Sequence, residues 1–137
     1  TIIEKNFIHK LNNNSEFYFF DTKLEILKLY KNMSDILNKL EINFFDIVIL
    51  SLGEDGHLAG HFNNSILFRN GILCKTDIAP ISPRISFSVE WLLKAKNVFI
   101  VIKGKEKQLA YDRLLSGNGV FDIKAFERDD IIFLENI

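Results

Sequence analysis

Between Leu24 and Leu40 the apolar positions Leu24, Leu27, Tyr30, Met33, Leu37 and Leu40 recur every three or four residues, with Lys23, Lys28, Lys31 and Lys39 mostly off that stripe. The period predicts an amphipathic helix with one buried face, ending at about Lys39 or Leu40. Thr22 stands three residues ahead of Glu25, the spacing at which a hydroxyl and a carboxylate cap each other's amides, so the helix is expected to begin there. Residues 44–50 (FFDIVIL) then form a nearly continuous apolar run. It is too short for a helix and β-branched at its centre, as expected of a parallel strand covered on both faces. Residues 97–102 (NVFIVI) repeat the pattern and residues 131–134 repeat it more briefly. Residues 84–89 (RISFSV) alternate, and residues 72–76 are a further strand candidate. Nearer the N-terminus, a short helix is expected to end near Leu11, followed by a turn at Asn12, Asn13 and Asn14 and an aromatic strand over residues 16–20 (EFYFF). Residues 105–116 (KEKQLAYDRLLS) are expected to be helical, with Leu109, Tyr111 or Arg113, and Leu114 facing inward and Gly117 ending the helix. Buried strands alternating with helices predict an open, mostly parallel α/β sheet.

Composition narrows the class. The chain has 137 residues, 47% hydrophobic and 26% charged, with 17 basic against 18 acidic side chains. One hydrophobic core is expected, and disordered, collagen-like or strongly basic nucleic-acid-coating chains are excluded. No nucleic-acid or membrane partner is expected: no apolar run approaches the roughly 18 residues of a spanning helix, and nothing resembles a signal peptide. The cytoplasm is the expected compartment. A single cysteine, Cys74, supplies neither an internal disulfide nor a thiolate metal cluster and is expected to be a small buried apolar residue.

Residues 46–62 (DIVILSLGEDGHLAGHF) carry the most chemistry. A buried strand runs into Gly53-Glu54-Asp55-Gly56-His57, where open parallel sheets place ligands, beyond the carboxyl ends of their strands. Gly53 and Gly56 permit a sharp turn and close approach to a ligand. A short helix starting at Leu58 would present free amides to an anion. His57 can take and return a proton near neutrality, and Asp55 can orient its ring. Two other readings remain open here: a zinc pair of His57 and His61 with Glu54, and a dinucleotide-binding turn at Gly53 and Gly56, although the full glycine fingerprint is absent. Arg84, after Pro83 at the start of a strand, and Lys107, in the first turn of a helix after a buried strand, are candidate phosphate contacts.

The same stretch resembles the 6-phosphogluconolactonase signature, a strand F-D-x-x-x-L followed by G-x-G-x-D-G-H-x-A-S-L-F-P. Asp46, Leu50, Gly53, Asp55, Gly56, His57, Ala59 and Phe62 match. Residues 83–87 (PRISF) resemble the family's P-x-R-I-T-L, and residues 95–107 (AKNVFIVIKGKEK) resemble A-x-x-V-x-x-L-V-x-G-x-x-K. Three blocks in order span roughly residues 44–115.

The resemblance implies a Rossmann-like α/β fold with helices on both faces of the sheet. It implies hydrolysis of the phosphorylated sugar lactone 6-phospho-D-glucono-1,5-lactone to 6-phospho-D-gluconate, in the oxidative pentose phosphate pathway, without metal or cofactor. His57 would be the general base on water and Asp55 its support. Arg84 and Lys107 would hold the phosphate, and Gly53 and Gly56 are expected among the substrate- and phosphate-binding positions. Glucose-6-phosphate dehydrogenase, to which some such lactonases are fused, is the implied functional partner. Ser51 stands at the signature's first glycine, and Gly60, His61 and Asn63 stand at its serine, leucine and proline; His61 is expected to be able to reach the pocket. The family's N-terminal half, with its glycine- and serine-rich phosphate loop, has no counterpart before Asn6, so the chain is expected to be the C-terminal portion of a single larger domain. Two alternatives stay open: a glucosamine-6-phosphate deaminase or isomerase, whose loop resembles G-x-G-x-N-G-H-I-x-F-N-E-P, and a non-catalytic sugar-phosphate-binding module.

Overall fold

The computed structural model describes residues 6–11, 14–21, 23–61, 67–70, 72–76, 84–119 and 128–136, with the backbone alone for 67–70 and 74–76. Thr22, Phe62, Asn63, Pro83 and the asparagines at 12 and 13 lie outside the described residues, as does the Cys74 side chain.

Helix α1 is Ile26–Lys39. It starts four residues beyond Thr22, with Glu25 at its N-cap making no side-chain capping bond, which corrects the expected start. Leu29, Met33 and Leu37 form its buried stripe. Leu27 is 77% exposed, because at about 100° per residue it stands roughly 120° round the helix from Met33. Residues 16–20 pair with no strand among the described residues. Phe17, Tyr18 and Phe19 are exposed, and Phe20 alone turns inward, its ring 5.6 Å from that of Phe87. Near the N-terminus, where a helix ending near Leu11 is expected, Asn6 is helical and a 3₁₀ turn follows at Ile8–Lys10.

Among the described residues six strands follow: β1 (Ile47–Ser51), β2 (Leu67–Asn70), β3 (Leu73–Thr76), β4 (Arg84–Phe87), β5 (Asn97–Lys103) and β6 (Ile132–Asn136). The short helix α2 (Val89–Leu92) lies between β4 and β5, and α3 (Gln108–Ser116) follows β5 through a 3₁₀ turn at Lys105–Lys107. Strands β1, β5 and β6 form a parallel sheet in the order β1-β5-β6, with Val48 opposite Val98 and Ile100 opposite Phe133. This is the expected α/β architecture. A second sheet, β2-β3-β4, is antiparallel. Its strands β2 and β3 pair with Asn70 opposite Leu73.

Strand alternation decides where the core sits. Val98, Ile100 and Ile102 are fully buried and pack with Val48, Leu92, Ala110, Tyr111 and Leu114 from β1, α2 and α3. Leu109 is exposed and Ala110 takes the inward position beside Tyr111; the nine-residue helix presents one side of its turn to the sheet. Gly117 closes α3 in a left-handed conformation, φ 78°. On the opposite face of the sheet Ile47, Ile49, Ile132 and Leu134 remain exposed. Helix α1 packs elsewhere, where Met33 and Leu37 meet Leu73 and Trp91, and Phe45 sits edge-on to Trp91 at 4.3 Å. At the base of the sheet Arg128 donates to the carbonyls of Leu93, Ala95 and Lys96 and pairs with Asp130.

Candidate active site

At the carboxyl end of β1 the chain makes a closed loop. Leu52, fully buried, donates to Val101 O at 3.2 Å and bridges Leu58, so residues 53–57 leave and return at one point of the core. Gly56 N–H donates to Gly53 O at 3.0 Å and Gly53 N–H to His57 O at 2.9 Å. Gly56 has φ 88°, a left-handed conformation open to glycine at little cost. Gly53 is needed for space: a Cβ there would lie 2.2 Å from His57 Nδ1 and 2.8 Å from Asp55 Oδ1.

That close packing holds the two polar side chains together. His57 Nδ1 and Asp55 Oδ1 are 2.5 Å apart, and the same oxygen accepts from the His57 amide at 3.2 Å. Partial burial pushes the Asp55 carboxyl up, but the hydrogen bonds from the His57 ring and amide and the imidazole charge outweigh it, so its pKa falls below the ordinary value. An ionised carboxylate facing Nδ1 fixes the tautomer with the proton on Nδ1. Nε2 is left as the basic nitrogen.

His57 and Asp55 border a cavity of about 820 Å³, walled also by Gly53, by Ile49 and Ser51 of β1, and by Lys107. Gly104, at φ 104°, turns the chain out of β5 into the 3₁₀ turn that carries Lys107, whose amide donates to Gly104 O at 3.1 Å. The fold thus brings Gly53, Asp55, His57 and Lys107 to one cavity, while Gly56 is buried within the loop. Arg84, exposed at the first residue of β4, is not part of that lining.

Residues 58–61 form no helix; Leu58 bridges His61, and Ala59 adopts φ 52°. The expected helix amides for an anion are therefore absent at this position. His61 does not reach the cavity either. It is 1% exposed, and its Nε2 donates to Phe87 O at 2.8 Å. Its imidazole is polar enough to bridge to a strand carbonyl and apolar enough to be buried beside the core. His57, His61 and Glu54 share no helical face, and among the described residues no cluster of three His, Cys, Asp or Glu side chains could hold a metal ion. Sequence reasoning did not single out the cavity wall formed by Ile49 and Ser51. Strand alternation puts both on the face opposite Val48 and Leu50, but Leu50 also borders the cavity, so the wall follows from the end of the strand and not from one of its faces.

Among the described residues no helix is long and apolar enough to cross a membrane. A model of the glucosamine-6-phosphate isomerase and 6-phosphogluconolactonase family matches residues 1–125. Over 80 residues the chain is 34% identical to a 6-phosphogluconolactonase of Borreliella burgdorferi, covering 56% of this chain and 34% of that protein. Over 78 residues it is 33% identical to a probable 6-phosphogluconolactonase of Oryza sativa, covering 54% and 28%. The solved 6-phosphogluconolactonase of Trypanosoma brucei superposes with a TM-score of 0.72 at 21% identity, over 96% of this chain and 62% of that one. A monomeric glucosamine-6-phosphate deaminase superposes with a TM-score of 0.53 at 18% identity, over 90% and 54%. These two likenesses establish a shared fold. The chain spans about a third or less of these two curated relatives and 62% and 54% of these two solved ones. With the family match covering nearly its whole length, the chain belongs to the glucosamine-6-phosphate isomerase and 6-phosphogluconolactonase family.

Proposed function

We propose that this chain is the C-terminal portion of a 6-phosphogluconolactonase domain and carries its general base. The observation that supports this reading is the His57–Asp55 pair, 2.5 Å apart, on a tight loop that borders the same cavity as Lys107. In the proposed reaction His57 Nε2 takes a proton from water as its oxygen bonds to the lactone carbonyl carbon. Asp55 stabilises the imidazolium that forms. The tetrahedral oxyanion then collapses, the ring C–O bond breaks, and the leaving ring oxygen takes the proton back from His57. The product is the open-chain hydroxy acid, which ionises in water. Lys107 and Arg84 are assigned to the substrate phosphate, where two cations fix the orientation of a doubly charged group.

The test is hydrolysis of 6-phosphogluconolactone by the full-length protein and by His57→Ala. Loss of the base is expected to lower the rate by about 10² to 10⁴; an unchanged rate refutes this assignment. Offering glucosamine 6-phosphate in parallel distinguishes the deaminase reading by ammonia release. A cytoplasmic setting and functional coupling to glucose-6-phosphate dehydrogenase, whose product is the lactone, belong to the same proposal.

A further inference from the structure

Two departures from the lactonase signature, Gly60 for serine and His61 for leucine, meet in one contact between the catalytic loop and β4. The Gly60 amide donates to Ser86 Oγ at 3.2 Å, and His61 Nε2 donates to the Phe87 carbonyl at 2.8 Å. The first contact depends on glycine, because a Cβ at position 60 would lie 2.8 Å from Ser86 Cβ. With the loop seated that close, the residue that follows reaches the next carbonyl along the strand.

The Phe87 carbonyl needs such a donor. Ser88 N–H donates across to Ile72 O, and backbone groups alternate sides along an extended strand, so the Phe87 carbonyl faces away from β3. Ser86 is buried and His61 almost wholly so. This half-buried carbonyl, on the side of β4 away from β3, is satisfied by the imidazole. Leucine at position 61 has no donor.

The tie acts between two parts of the proposed site. On one side, His61 N–H donates to Leu58 O at 3.0 Å, and Leu58 bridges Leu52 at the mouth of the loop that carries Asp55 and His57. On the other side is β4, whose first residue is Arg84. Arg84 and Ser86 are two residues apart and so share a face of the strand, about 7 Å apart along it. We propose that His61 is a positioning residue: its hydrogen bond to Phe87 sets the separation between the His57 base and the Arg84 guanidinium, and so matches the site to a substrate with its phosphate at a fixed distance from its carbonyl. This rests on the lactonase reading above.

The test uses the full-length protein with His61→Leu, which restores the signature residue and keeps the position apolar, and His61→Gln, whose side-chain amide keeps a donor. Two readouts are needed. Amide exchange of Gly60 and Gly53 is expected to quicken about tenfold in His61→Leu, the effect of losing one net hydrogen bond, with the β5 amides unchanged. Hydrolysis of 6-phosphogluconolactone relative to unphosphorylated gluconolactone is expected to fall about tenfold in His61→Leu and to recover in His61→Gln. A purely structural role would slow both lactones by the same factor, and that result overturns the proposal. Unchanged Gly60 exchange overturns it as well. A wild-type protein that hydrolyses neither lactone refutes the lactonase reading instead, and the exchange measurement then decides alone whether His61 holds the loop.

Discussion

Replacing Gly53 by alanine isolates the His57–Asp55 pair from the fold that carries it. A Cβ at position 53 would lie 2.2 Å from Nδ1 and 2.4 Å from Cε1 of His57, and 2.8 Å from Asp55 Oδ1. Gly53 is not among the residues with positive φ, so alanine fits the backbone and the conflict falls on the two side chains. To move from 2.2 Å to the 3.4 Å of ordinary contact the imidazole must retreat by about 1.2 Å, which breaks a 2.5 Å hydrogen bond to a carboxylate. A charge-assisted bond of this kind contributes about 1.5–3 kcal/mol, and displacing a catalytic group by about 1 Å costs on the order of 10² in rate. The expectation for Gly53→Ala is a loss of about 10² in kcat/KM for 6-phosphogluconolactone, read from initial rates of acid release, with a circular-dichroism melt close to wild type. Retention of kcat/KM within threefold refutes the claim that this contact holds the base in place. A large fall in melting temperature assigns the glycine to folding instead.

Other substitutions test the scaffold. Arg128→Ala removes donors from the carbonyls of Leu93, Ala95 and Lys96 and should lower stability by about 2–4 kcal/mol in urea unfolding; a change below about 0.5 kcal/mol refutes that role. Leu58→Ala, in the core beside the loop that carries Asp55 and His57, is expected to destabilise by about 2–5 kcal/mol, measured by the same unfolding curves. Burial, followed by the hydrogen bond to Glu135, raises the Tyr111 hydroxyl from 10.0 to about 12. A pKa higher in the folded state means that its stabilising contribution is complete below pH 10 and is lost as the pH rises through 12. Tyr111→Phe should therefore flatten the alkaline limb of the stability curve between those values; an unchanged limb counts against the assignment.

The elements legible in the sequence are those whose pattern needs no partner to interpret. Residues 98–102 are apolar because β5 is the central strand of its sheet, with Val98, Ile100 and Ile102 wholly buried beneath α2 and α3 and Phe99 and Val101 half-buried on the other face, and Gly117 ends α3 because its left-handed φ suits glycine. The site loop was legible for the same reason: two glycines and an Asp-x-His pair at a strand end mean much the same in any open sheet. Misreadings occurred where tertiary context decides. EFYFF has every strand propensity, yet Phe17 to Phe19 find no strand to pair with among the described residues and only Phe20 packs. Leu27 and Leu109 belong to apolar series in the sequence but fall outside the arc that their helices bury. His61 could not be distinguished from a pocket residue, because its role depends on a carbonyl 26 positions away.

The parallel sheet links the site to the rest of the fold through its second face. Residues 97–102 read as a strand covered on both sides, and among the described residues α2 and α3 supply one cover, leaving Ile47, Ile49, Ile132 and Leu134 in solvent on the other. Ile49 belongs to that open face and to the cavity wall at once, and Ser51 follows it on the same side of β1. An element that covered the face at Ile49 would therefore also border the cavity, and a ligand preferring the enclosed cavity would stabilise that covered state by mass action. Ile47 and Ile132 share the exposed face but line no part of the cavity, so covering them would contribute to folding without touching the cavity. At Ile49 the two effects are inseparable. Covering of this sheet face and occupation of the cavity would thus be coupled at the carboxyl end of β1, two residues from Gly53.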